Sequence, residues 1–151
     1  MRTREKATTR MDFTAFLLWL HFVGMAAGLG AGIALSQTGP RMVKGPLEQR
    51  ELMWGLENSF SRIGQAGLAT LLVTGPLMVW LRYGGVAGFT WWFWLKMVFV
   101  AVTLAGVAVH ARAAERFHRG DETAIPLMFV GGRVAGVSMV LAMLSAVLTF
   151  N

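Results

Sequence analysis

The sequence predicts an all-α integral membrane protein, a bundle of four membrane-spanning helices, and three observations carry that expectation. The chain has 151 residues, of which 55% are hydrophobic and only 15% charged. Its mean hydropathy is +0.54, more apolar than a soluble core of this size needs. Four apolar stretches, about 13–36, 63–80, 89–110 and 132–150, each approach the 20 or so helical residues that cross a hydrocarbon layer of roughly 30 Å.

The first span follows the basic opening "MRTREKATTR". No small-residue cleavage site with a polar start comes after it, so it reads as a retained helix. The linker "SQTGPRMVKGPLEQRELMWGLENSF" holds two Gly-Pro pairs, Gly39-Pro40 and Gly45-Pro46, both expected to mark turns. From Pro46 onward Leu52, Leu56, Phe60 and Ile63 recur at helical spacing, predicting an amphipathic extension of span two outside the bilayer. The short glycine-rich "RYGGVAGF" makes spans two and three antiparallel neighbours. Span three runs on until Gly120, and "DETAIP" opens span four with Asp121 or Thr123 as cap. A single domain is expected.

Lys and Arg flank the spans and account for the formal charge of +6, which suits anionic headgroups and requires no nucleic acid. Arg41, Lys44, Arg50, Arg62, Arg112, Arg116, Arg119 and Arg133 outnumber Arg2, Arg4, Lys6, Arg10 and Arg82 on the other side. The excess places the first set in the cytoplasm, with a cytoplasmic (inner) membrane location and both termini outside. Without cysteine there are no disulfides, thiolate metal sites or thioether haem links. No serine–histidine–acid set, phosphate-binding loop or intramembrane carboxylate pair supports a hydrolase or NTPase.

Two ionisable residues stand inside the spans. From His21, offsets of 3, 7 and 11 give Gly24, Gly28 and Gly32, a small-residue stripe that admits either a partner helix or a flat planar ligand close to the backbone. Lys96 defines a stripe with Thr103 and His110. It is read either as facing the bundle interior or as snorkelling to the headgroups beside Trp91, Trp92 and Trp94. Spans one and three run parallel, and His21 and Lys96 each lie roughly 10 to 12 Å in by helical rise. Thr74, Gly75 and Pro76 of span two and Ser145 of span four fall at that level. His110 lies about 18 Å deeper, so one metal centre cannot take both histidines, and His110 is expected beside Arg133. His118, in "ERFHRG", is expected to be solvated.

The first-span histidine, the segment "LENSFSRIGQAGLATLLVTG" and the lysine of "WLKMVFV" resemble the HemJ/CopD-like membrane proteins over roughly residues 16–133. The HemJ type is a protoporphyrinogen oxidase containing haem b, whose pattern pairs a first-span histidine with a third-span lysine. The resemblance implies that His21 and Lys96 are the haem-associated pair. Glu57 would match the family's acidic residue, Arg62 a basic residue after it, and Gly75 the glycine closing span two. The chain has Leu35-Ser36-Gln37 where the family has Leu-Pro-Arg, and Asn58-Ser59 in place of paired arginines. The likeness therefore bears on fold and haem site more than on the reaction.

The expected function is a membrane b-type haem redox protein, protoporphyrinogen oxidase-like in its fullest form. His21 would be the proximal ligand, Lys96 a second ligand or propionate partner, and the glycine stripe the clearance for the macrocycle. Expected partners are the bilayer and a quinone or porphyrinogen; association with further copies of the chain is left open. Two alternatives remain: a CopD-like copper or transport protein, with Met78, Met97, Met139 and Met143 scattered over the helices, and a structural subunit without cofactor.

Overall fold

The computed structural model describes residues 2–150, with side chains placed for 13–46 and 48–149. Arg2, Arg4, Lys6 and Arg10, counted above for orientation, have side chains outside the described residues. The chain is all-α: α1 (Arg2–Lys44), α2 (Leu47–Tyr83), α3 (Trp91–His118), a 3-10 turn (Glu122–Ala124) and α4 (Ile125–Phe150), with no strand among the described residues. All four α-helices are long and apolar enough to cross a membrane. Large apolar side chains point outward along them, Trp80 at 74% exposure and Ile33 and Val147 at 66%, as suits a multi-pass membrane protein whose solvent is hydrocarbon.

The helices overrun the predicted spans, and two expectations change. Gly39-Pro40 is no turn, because α1 continues through Pro40 to Lys44. Proline removes one backbone bond, but continuing the helix buries Met42 against Ala113, Ala114, Phe117 and Met128, and that packing decides. The turn lies at Gly45-Pro46. There Arg50 reaches back from α2, donating from Nε to the Gly45 carbonyl and from Nη2 to that of Val43, both at 3.2 Å, so a side chain satisfies the carbonyl end of α1. The second change is that the extension and span two form one continuous helix from Leu47 to Tyr83, with Leu52, Leu56 and Ile63 exposed.

Contacts divide the chain into two compact units, one of Met1–Gly30 with Ile63–Gly88 and the other of Ala31–Arg62 with Phe89–Asn151. The first is a helix pair built on glycine. A Cβ on Gly67 would stand 2.7 Å from the Gly24 carbonyl oxygen and 3.0 Å from the Gly28 nitrogen, and one on Gly24 would stand 2.9 Å from the Gly67 carbonyl oxygen. Gly24, and the Gly28 nitrogen, therefore stand in close backbone contact with Gly67 of α2, the small-residue packing open to the first part of the stripe.

The second unit draws on all four helices. α4 buries Met128, Gly131, Ala135, Ser138, Ala142 and Ser145, alternating steps of three and four that keep one small-residue face inward. Gly106 of α3 meets Gly131: a Cβ on Gly131 would lie 2.7 Å from the His110 nitrogen and 2.9 Å from the Gly106 carbonyl oxygen. At the end of α3, Gly120 at φ 96° takes the left-handed cap, with Gly120 N–H donating to the Phe117 carbonyl and Asp121 N–H to that of Arg116.

Asp121 then starts the next turn, accepting from the Thr123 backbone N–H at 3.0 Å and pairing with Arg116 at 2.6 Å. The Thr123 hydroxyl bond first, and Arg116 after it, hold the Asp121 carboxyl below its usual range. A carboxyl depressed in the fold stabilises above its unfolded value, and the contribution is lost as pH falls through the folded one. Asp121→Asn should thus be slightly less stable than wild type at neutral pH, and the two should converge in acid below about pH 4. Unfolding followed by circular dichroism across pH checks this, and a constant gap down to strong acid would refute it.

Candidate functional site

In the first unit His21 lies on α1, half-buried against α2. Its Nδ1 is 2.7 Å from Thr74 Oγ1, and Thr74 Oγ1 donates to the Thr70 carbonyl, also at 2.7 Å. The Thr74 hydroxyl has one hydrogen and stands 2.7 Å from both the ring nitrogen and the Thr70 carbonyl; when the carbonyl takes that hydrogen, Nδ1 is the donor to Thr74. Anchoring of one ring nitrogen by an outer partner is a feature that metal-binding imidazoles share. Thr74 is buried to 1%, so the anchor is rigid. A methyl on Gly75 would stand 3.7 Å from His21 Cε1, so the residue after the anchor is small where the ring lies. The depth count that set Thr74 and Gly75 opposite His21 agrees with this contact.

In the second unit one polar group from each helix meets at Glu57. Glu57 of α2 is 1% exposed. Thr38 of α1 donates to its Oε2 at 2.9 Å, and His110 Nε2 of α3 lies 3.1 Å from its Oε1. The other nitrogen of His110, Nδ1, donates to the Met128 carbonyl of α4 at 2.9 Å. Glycine makes that last bond possible, because Gly131 and Gly132 let α4 approach the His110 backbone and ring. Every buried side-chain polar atom among the described residues has a partner, as hydrocarbon surroundings demand.

Other expected site residues divide between inward and outward positions. Lys96 lies on the inward face of α3, three residues after buried Phe93 and seven before buried Thr103, while Trp94, Met97 and Val98 beside it are exposed. Thr103 donates to the Phe99 carbonyl of its own helix at 2.8 Å. Gly32 is exposed with nothing within 4 Å of an added Cβ. Arg62, Arg112 and Arg133 are exposed. Arg133 is thus not the partner of His110, whose two nitrogens go to Glu57 and Met128. His118 is exposed, and its ring also stacks on Trp54 at 4.2 Å and 5°. Among the described residues no three His, Cys, Asp or Glu side chains gather as a metal-binding group.

Reading the sequence paired neither Glu57 with His110 nor Thr38 with Glu57. A usable signal was present, for Glu57 has no basic residue at three or four positions either way along α2, the spacing that would pair it locally. α2 also carries Glu48 and Glu51, both exposed, whereas a buried acid without a local partner finds one on another helix. No family model, curated protein or solved structure matches the chain.

Proposed function

We propose that this multi-pass membrane protein is a b-type haem-binding redox protein of the cytoplasmic membrane, with His21 as axial ligand. One observation supports the reading above others: the His21 ring is held at Nδ1 by the buried Thr74 hydroxyl at 2.7 Å, which is itself oriented by the Thr70 carbonyl. The donor chemistry fits haem iron, whose common protein ligand is a neutral imidazole held by an outer hydrogen bond. Haem, when bound, supplies one-electron transfer. The chain's part is to fix the ligand's orientation and to keep the site in a low-dielectric surround.

The resemblance to HemJ/CopD-like proteins adds Lys96 as the second haem-associated residue and a quinone or porphyrinogen as exchange partner. Lys96 on the inward face of α3 supports an interior role for that amine over snorkelling. Exposed Arg62, Arg112 and Arg133 suit the attraction of carboxylates in solution. Gly24 and Gly28, in close backbone contact with Gly67 of α2, take no part in holding a macrocycle in this reading.

The test is the reduced-minus-oxidised optical spectrum of protein produced with ample haem and extracted gently. A b-type spectrum is expected, and Lys96→Met should retain haem with altered spin state or potential, since His21 remains. A wild-type protein without b-type absorbance would end the haem reading and leave a transport or packing protein, with His21 serving as an interhelical hydrogen-bonding residue.

A further inference from the structure

We infer that Glu57 and His110 form a buried proton-binding site, holding one exchangeable proton between Glu57 Oε1 and His110 Nε2. Hydrogen-bond stoichiometry carries the inference. The Met128 carbonyl can only accept, so His110 Nδ1 carries hydrogen in every state that keeps the 2.9 Å bond. The 3.1 Å contact between Nε2 and Oε1 then needs one more hydrogen. It sits either on Nε2, giving an imidazolium facing a carboxylate, or on Oε1, giving a neutral acid facing a neutral ring. The two forms have the same net charge and differ only in where that proton lies along the contact. Without it, a carboxylate faces an imidazole lone pair, acceptor against acceptor, and the bond between α2 and α3 is lost.

The surroundings allow the proton to leave. Thr38, with one hydroxyl hydrogen, stands 2.9 Å from Glu57 Oε2 and 3.2 Å from the Ala34 carbonyl. It donates to Oε2 when Glu57 is ionised and can turn to Ala34 when it is not. Charged groups on the packed elements do not fix the charge state by direct contact. The nearest along each helix, Arg41 of α1, Arg62 of α2, Arg112 of α3 and Arg133 of α4, are all exposed. Among the described residues Glu57 and His110 form an ion pair with each other and with no other group. The His110 side chain keeps 12% exposure against 2% for that of Glu57, so the ring is the less enclosed side of the pair, and the proton's acceptor is a dissolved base. Release transfers one proton from the pair to that base and leaves the pair with one negative charge; uptake reverses it. The site lies wholly within the second unit and is independent of haem binding at His21.

Glu57→Gln separates this proposal from a purely structural bond. Its amide donates to His110 Nε2 and its carbonyl accepts from Thr38, so every hydrogen bond persists while the exchangeable proton is gone. The experiment is ¹⁵N NMR of histidine-labelled full-length protein in lipid nanodiscs between about pH 4 and 10, the range spanning ordinary carboxylate and imidazole titrations. In the wild type the His110 Nε2 signal should titrate in one step involving one proton. In Glu57→Gln it should hold the position of a neutral, hydrogen-bond-accepting nitrogen throughout. A wild-type signal that never moves would show that the proton does not exchange. A Glu57→Gln signal that titrates like the wild type would show that His110 ionises alone. Either result overturns the proposal.

Discussion

Glu57→Ala is expected to destabilise the protein by roughly 3–5 kcal/mol, the usual loss when one partner of a buried pair is removed. The truncation strands His110 Nε2 beside a void, while the Thr38 hydroxyl keeps only the Ala34 carbonyl at 3.2 Å. Glu57→Gln, which can make the same bonds, should stay within about 1 kcal/mol of wild type. Removing both partners in Glu57→Leu with His110→Leu should cost less than the sum of the single losses, because no buried group is then stranded. Unfolding in mixed detergent micelles, followed by circular dichroism, measures all of these. A Glu57→Ala protein as stable as wild type would show that the four-helix network contributes little.

The second large effect is expected at Gly131. A Cβ there would stand 2.7 Å from the His110 nitrogen and 2.9 Å from the Gly106 carbonyl oxygen; both are backbone atoms that cannot swing aside. Gly131→Leu must push α4 off α3, which costs at least about 1–3 kcal/mol as overpacking, and it draws the Met128 carbonyl away from His110 Nδ1. Gly136→Leu, one turn on but with nothing within 4 Å of an added Cβ, should be close to neutral and acts as the control for helix propensity and membrane insertion. The comparison is again the unfolding midpoint. Equal effects at the two positions would mean that close approach of α3 and α4 is not what the glycine provides.

The fold was legible because membrane helices announce themselves by length and apolarity, and the four runs required no knowledge of partners. What stayed hidden was set by partners. Gly39-Pro40 has the local chemistry of a turn, but Met42 beyond it has a buried place waiting, and a backbone bond was given up to reach it. The recurrence of Leu52, Leu56, Phe60 and Ile63 predicted a helix but not which face it turns inward; the face carrying Glu57 is the one that finds hydrogen-bonding partners on other helices. The level of His21 opposite Thr74 was legible, since one helical rise count sufficed for two adjacent antiparallel helices. The partner of His110 was not, because Glu57 lies 53 residues away in sequence on another helix, beyond what a rise count along one helix reaches.

The most direct test of the haem reading is the Soret absorbance of His21→Ala beside that of wild type, with both proteins purified from cells supplied with haem and shown by circular dichroism to be folded. The wild type should carry a b-type band, the variant should lose it, and added imidazole should restore part of it by entering the space the side chain vacated. A His21→Ala protein that keeps the full band, or a wild type that never shows one, would contradict the assignment of His21 as the ligand.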